Sequence, residues 1–328
     1  MAKKIILDVD TGTDDAVAIA VAALSPEVEI LGITVTHGNQ PLSYTVENTL
    51  RVVEFLGIDV PVYPGCPEPM VQYMTPGRLQ NVRRQTTRKV VDGEEITIHQ
   101  KYLDLPAAAI SPADTHACSY LIDTLKHAGE KITLVPVGPL TNIGMALRMD
   151  PSIADHIEEI VIMGGGITRG NRTPVAEANF YDDPEAAQIV FSSGCPIRVL
   201  PLEATERVLF GPEDAAEFRS LSRTGAFVAD LIDSFIHRCR LLGILSEETI
   251  CIHDAITVCA VIDPAVITDL RRKNCDVDFS GGFADGQLVI DDRTFIAPTD
   301  RTYIAYDVDR ERCVRIIREA LGRGKKEE

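Results

Sequence analysis

Long apolar runs, paired cysteines and positive charge are what this chain lacks. No stretch approaches the roughly 20 consecutive apolar residues of a membrane-spanning helix. The run behind Lys3 and Lys4 stops at Asp8, far short of a signal-peptide core. Eight cysteines, at positions 66, 118, 195, 239, 251, 259, 275 and 313, contain no C-x-x-C spacing. Nor do they sit in a small domain that needs stapling, so free, mostly buried thiols in a reducing cytoplasm are expected. Lys and Arg total 32 against 49 Asp and Glu, a formal net charge of -17 at pH 7. That balance repels a phosphate backbone and argues against nucleic acid as a partner, while small neutral substrates and cations suit it. Repeats and low-complexity blocks are also missing, which favours a single domain over 1–328.

What is present suffices for a sizeable core: 45% of the 328 residues are hydrophobic. Apolar runs at Lys4–Val9, Val28–Thr36, Val60–Tyr63, Ile132–Val137, Ile157–Met163 and Ile197–Leu200 predict strands. Helical patterns at Asp15–Leu24, Leu42–Leu56, Asp114–His127, Leu140–Leu147 and Pro184–Ser192 alternate with them. This order predicts an α/β protein with a doubly wound, mostly parallel, Rossmann-like open sheet flanked by helices. Residues 64–113, richer in Pro, Gly and charge, read as a long excursion beside the site. Further helices are expected over about 212–243 and 254–262. Short carboxyl-terminal strands follow at Cys275–Phe279, Gln287–Ile290 and Thr302–Val308, then a closing helix, Arg310–Leu321, and a frayed tail from Gly322.

The most informative stretch is Asp8-Val9-Asp10-Thr11-Gly12-Thr13-Asp14-Asp15, which carries four carboxylates in eight positions. A strand, a glycine turn and a helix start crowd these acids at the carboxyl end of a sheet, where ligands of open α/β folds sit. At about 4 Å and an effective dielectric near 20, each like-charged pair repels by roughly 4 kcal/mol. Capping explains Asp14 or Asp15 taken singly, but four acids exceed what a cap needs. The cluster asks for a hard cation in an oxygen shell such as that of calcium.

Other polar groups fall at neighbouring strand ends. Asn39 follows Gly38 after the second strand; it is placed to bond a hydroxyl, or it is a turn residue. Prolines and a glycine around Val137 free its carbonyl for a ligand, or simply form a tight loop. The glycines after Met163 lack the spacing and the lysine of a phosphate cradle. Glu177 and Asn179 read as loop residues, solvated or hydroxyl-binding, and Asp182 and Asp183 as caps ahead of Pro184. His253-Asp254 opens an apolar helix. Asp254 is there as a cap or an oxygen ligand, and His253 as an incidental residue or a proton donor near neutral pH.

Taken together, these motifs resemble the nucleoside hydrolase (inosine-uridine preferring nucleoside N-ribohydrolase) family from Lys4 to about Pro264. The D-x-D-x-G-x-D-D-A pattern is matched by Asp8, Asp10, Gly12, Asp14, Asp15 and Ala16. Gly38-Asn39-Gln40, Leu134-Val135-Pro136 with Gly138 and Leu140-Thr141-Asn142, and Met163-Gly164-Gly165-Gly166 follow in order. Glu177 with Asn179, Asp183-Pro184-Glu185-Ala186-Ala187 and His253-Asp254 complete the set.

The resemblance implies calcium-dependent hydrolysis of the N-glycosidic bond of a ribonucleoside. It implies Ca2+ held by Asp10, Asp15, Asp254 and the Val137 carbonyl, with Asp10 as base for the attacking water. It further implies ribose hydroxyls bound by Asp14, Asn39, Glu177, Asn179 and Asp254, Met163 lining the sugar pocket, and His253 facing the leaving base. A homodimer or homotetramer is the assembly it suggests.

The chain departs from the family pattern at several places. Thr11 replaces the commoner proline, Ala178 stands where an aromatic is frequent, and Val91-Asp92-Gly93 aligns with a loop V-H-G. The segment Phe227–Leu242 has no Tyr or Trp; His237 and Arg240 are substitutes for a base contact, or a solvated helix face. Two other readings stand beside the hydrolase. A strand followed by D-x-D also resembles the haloacid-dehalogenase magnesium phosphatases, but Gly12 takes the place of their Thr or Val and Asp14-Asp15 go unexplained. A catalytically silent nucleoside- or ribose-binding protein is the other, since a fold alone never fixes activity.

Overall fold

The computed structural model describes residues 2–71, 74–75, 78, 88–91, 93–245 and 247–324. Asp92 and the last four residues of the tail, both used above, lie outside the described residues.

An eight-stranded sheet organises the chain. Its strands are β1 (Lys3–Val9), β2 (Val28–Val35), β3 (Val62–Pro64), β6 (Ile132–Pro136), β7 (Ile157–Met163), β8 (Ile197–Leu200), β11 (Ile267–Arg272) and β14 (Thr302–Val308), in the order β11-β14-β8-β7-β6-β1-β2-β3. All neighbours run parallel except β11, which pairs antiparallel with β14. Chain order reverses at β1, between β2 and β6, and the crevice beyond the carboxyl ends of such strands is where open sheets bind ligands. The doubly wound reading therefore holds; of the three expected carboxyl-terminal strands only Thr302–Val308 joins this sheet, as β14, while the other two pair with each other as a separate hairpin.

Alternation along β1 sorts its side chains into two layers. Ile5, Leu7 and Val9 face a core built with α1 (Thr13–Leu24), α2 (Leu42–Leu56), α10 (His253–Ile262) and α11 (Arg310–Gly322). Ile6 faces the opposite core, under α3 (Ala117–His127), α4 (Thr141–Met149) and α6 (Pro184–Phe191). Helices α1 and α10 pack on each other and are buried nearly all round; their alanine-rich sequences permit the close approach. That packing sets the start of α1 beside the start of α10, and so brings Asp14 and Asp15 to Asp254.

The remaining elements are short or peripheral. They are hairpins β4 (Arg88–Val91) with β5 (Glu94–Thr97) and β12 (Asn274–Val277) with β13 (Leu288–Asp291), the pair β9 (Leu209–Phe210) with β10 (Ile250–Cys251), and helices α5 (Ala178–Asp182), α7 (Leu202–Thr205), α8 (Pro212–Arg219) and α9 (Arg223–Leu242). Hairpin β4–β5 and strand β11 were not expected from the pattern, because their residues are mostly exposed and carry no apolar alternation. The segment 212–243 is two helices, since Ser222 caps α9 by accepting the Gly225 N–H. All eight cysteines are free thiols. Among the described residues, no helix is long and apolar enough to cross a membrane.

Candidate active site

Asp8 leaves the acidic cluster at once. It shares the strand face of Ile6, so its carboxylate turns under α4, where Oδ1 accepts from Thr34 Oγ1 at 2.6 Å and Asn142 Nδ2 at 2.8 Å. Burial pushes its pKa up to about 7, and those two hydrogen bonds offset only part of that.

The other three acids of the stretch stay together. Asp15 accepts the backbone N–H of Asp10 at 3.0 Å and of Gly12 at 2.8 Å, which folds the turn into a helix start. Its Oδ2 also accepts from Asn39 Nδ2 at 3.2 Å. Asp10 Oδ2 accepts the Asn39 N–H at 2.6 Å. Gly38, at φ 155°, allows that approach: a Cβ there would stand 2.0 Å from Asp10 Oδ2.

Carboxylate oxygens of Asp14, Asp15 and Asp254 lie within 4.8 Å of one another, a possible metal site. Asp14 Oδ1 is buried with no hydrogen-bond partner. Burial, then the Asp15 charge, holds Asp14 at about 7 and Asp10 well above its ordinary value. Burial, then the Asp14, Asp15 and Asp10 charges, does the same to Asp254. Carboxylates that repel one another out of water, with an orphaned oxygen among them, suit a hard divalent cation.

On the β6–β7 side, Asn179 Nδ2 donates to the Val137 carbonyl at 2.7 Å and to the Met163 carbonyl at 3.0 Å. Val137 O is thus out of the ladder, and Asn179 holds it. Glu177 caps α5, accepting from Asn179 N at 2.9 Å and from Gly165 N at 2.8 Å, and burial raises it to about 7. Glu177 and Asn179 are therefore a buried cap and first turn, where a solvated loop was the plain alternative. With the Gly165 N–H taken by a carboxylate, the glycine run offers no phosphate cradle. Asp183 caps α6 as expected. Asp182 does not cap: it ends α5 and pairs with Arg172 at 2.7 Å.

His253 opens α10 half-buried, with Nδ1 2.7 Å from Thr205 Oγ1 and 3.4 Å from Cys251 Sγ. Burial, with Arg169 nearby, pulls its pKa down to about 4, so the free site holds a neutral imidazole at pH 7.

Several neighbours were invisible in the sequence. His99 stands over the acidic loop: a Cβ on Gly12 would lie 2.8 Å from His99 Nδ1 and 2.9 Å from Asn39 Nδ2. That nitrogen is buried and unpartnered, and burial lowers the ring's pKa to about 4. Phe235 of α9 lies 6.0 Å from the His99 ring, and Arg238 donates to the Thr97 carbonyl at 2.5 Å, fastening α9 to the His99 loop. His237 is exposed and Arg240 pairs with Glu248, so both belong to the solvated face.

The profile of the inosine-uridine preferring nucleoside hydrolases matches residues 5–315. The chain is 36% identical over 322 residues to the pyrimidine-specific ribonucleoside hydrolase RihB of Escherichia coli K12, covering 95% of this chain and 97% of that one. Among solved structures it is similar to a purine-preferring ribonucleoside hydrolase from Gardnerella vaginalis, at TM-score 0.84 and 31% identity over 98% of each chain. A plant nucleoside hydrolase is similar at TM-score 0.83 and 30% identity, over 98% of this chain and 99% of that one. With the family match, the sequence identity and the shared fold each covering almost its whole length, the chain belongs to the inosine-uridine preferring nucleoside hydrolase family.

Proposed function

We propose that the chain hydrolyses the N-glycosidic bond of ribonucleosides, releasing ribose and a free purine or pyrimidine base, with calcium as its cofactor. The observation that carries this reading is the convergence of Asp14, Asp15 and Asp254 around an oxygen with no partner. Asp10, Asp15, Asp254 and the Val137 carbonyl would hold the ion. Bound there, a hard divalent cation supplies positive charge that grips vicinal hydroxyls and acidifies a water.

The chain's own groups do the rest. Asp10, whose proton affinity is raised by burial and by Asp15, takes the proton of the attacking water at its carboxylate. Asp14, Asn39, Glu177, Asn179 and Asp254 bind and orient the ribose hydroxyls, and Met163 closes the sugar face. The surrounding negative charge favours an oxocarbenium-like transition state over the neutral ground state. His253 faces the base. Held at Nδ1 by Thr205 and neutral at pH 7, it offers an Nε2–H hydrogen bond to the departing ring.

Reducing-sugar release from inosine and uridine, measured with calcium and after chelation, tests the reading. Calcium-dependent release with no phosphate liberated from p-nitrophenyl phosphate supports it. Phosphate release with magnesium, or retention of intact nucleoside without sugar release, overturns it in favour of a phosphatase or a binding protein.

A further inference from the structure

Two thiols and an imidazole meet beside Asn142, whose side chain also holds Asp8. Cys66 is the second residue after β3, and Cys118 is the second residue of α3. Their sulfurs lie 3.9 Å apart. His116 caps the same helix and is exposed, and its Nδ1 accepts the Cys118 N–H at 3.2 Å. The two sulfurs and an imidazole nitrogen all fall within 4.8 Å of one another.

The backbone is built to keep them there. The Cys66 N–H donates to Asn142 Oδ1 at 2.8 Å, and Cys118 Sγ donates to the Asn142 carbonyl at 3.5 Å. Gly65 makes room, since a Cβ at that position would stand 2.1 Å from Asn142 Oδ1. One asparagine therefore holds the Cys66 backbone and the Cys118 thiol, although 52 residues separate the two cysteines in the chain.

We propose that Cys66, Cys118 and His116 form a binding site for a thiophilic divalent cation of the zinc class, separate from the acidic cluster. Two thiolates and an imidazole select soft or borderline ions, whereas carboxylates and carbonyls select hard ones. The spacing fits: arms of about 2.3 Å at a tetrahedral angle put two sulfurs about 3.8 Å apart. Exposed His116 gives the ion a way in, and solvent supplies the fourth donor. Uptake exchanges the ion for two thiol protons, so the charge of the cluster is unchanged. Cys118 is the thiol nearer to ionising: its contact with Cys66 draws it down, while the same contact and burial push Cys66 up. Once filled, the site clips the end of β3 to the start of α3 and braces the Asn142 that holds Asp8.

The test is a titration of the full-length protein with cadmium, in a buffer with a non-thiol reductant and with calcium saturating any acidic site. The expected result is one equivalent of cadmium giving an ultraviolet sulfur-to-metal charge-transfer band that zinc competes away. Zinc should also raise the melting temperature. Cys66→Ser and Cys118→Ser should each lose the band and the thermal shift. His116→Asn keeps both thiols and the helix cap, so it reports on the imidazole even where a cysteine variant folds poorly; its affinity should fall at least tenfold. No band at one equivalent, a band that survives both cysteine replacements, or unchanged affinity in His116→Asn overturns the proposal. Nucleoside hydrolysis by Cys66→Ser stays calcium-dependent in either case, which keeps this test apart from that of the catalytic reading.

Discussion

The Thr205 hydroxyl lies 2.7 Å from His253 Nδ1 and joins the end of α7 to the first residue of α10. A Thr205 hydroxyl proton on that contact makes Nδ1 the acceptor and leaves the imidazole proton on Nε2. Thr205→Val keeps the shape and removes the bond. We expect kcat to fall about tenfold, equivalent to about 1.4 kcal/mol, with little change in KM. Thr205→Ser should restore most of the rate, which a packing role for the methyl group would not predict.

His253 itself should matter most for a poor leaving group. General acid or hydrogen-bond assistance contributes about 10² to 10⁴-fold, so His253→Ala should lose turnover on that scale. Near wild-type rates with both inosine and uridine would remove it from the role. Because burial holds its pKa at about 4, kcat/KM should show no break near pH 6.5 from this residue.

Gly38 and Gly129 offer a matched pair. Both have positive φ, but a Cβ at Gly129 meets nothing within 4 Å, whereas at Gly38 it would collide with Asp10 Oδ2. Each Gly→Ala change carries about 1 kcal/mol of backbone strain. Gly129→Ala should therefore lose a little melting temperature and no activity, and Gly38→Ala should lose activity at least a hundredfold through displacement of Asp10.

Asp8 predicts a pH dependence of stability in the calcium-free protein. Its pKa rises from 3.8 to about 7 on folding, so between those values the folded chain binds the proton and the unfolded chain does not. Its contribution is full below about pH 4 and is lost as pH rises through about 7. Denaturant unfolding in chelator should show wild type losing more stability than Asp8→Asn between pH 5 and pH 8, by about 1–3 kcal/mol. An equal loss would mean that Asp8 is not the buried acid described.

Much of this was legible because periodicity and chemistry agreed. Strands Ile157–Met163 and Ile197–Leu200 and helix Leu42–Leu56 fall where alternating and helical patterns put them. The acidic turn announced itself through charge density alone. Long-range closure was not legible: only the packing of α1 on α10 brings Asp254 to Asp14. His99 was missed because no local signal separates a histidine folded over Gly12 from one in solvent, and the sequence Val91-Asp92-Gly93 offered a closer motif match. Glu177 and Asn179 look like loop polars until α5 forms, and then burial and five backbone contacts show otherwise. The Cys66–Cys118 pair left no spacing to read at all.

The central claim is that the carboxylates of Asp10, Asp15 and Asp254 hold a calcium ion on which glycosidic cleavage depends. The most direct measurement is uridine and inosine turnover against buffered free calcium, with ion binding followed calorimetrically on the same preparation, for wild type and Asp15→Asn. The account predicts that turnover and binding rise together with one midpoint, and that Asp15→Asn shifts both to higher calcium by at least tenfold. Full turnover in the presence of excess chelator, or turnover saturating where no ion binds, would contradict it.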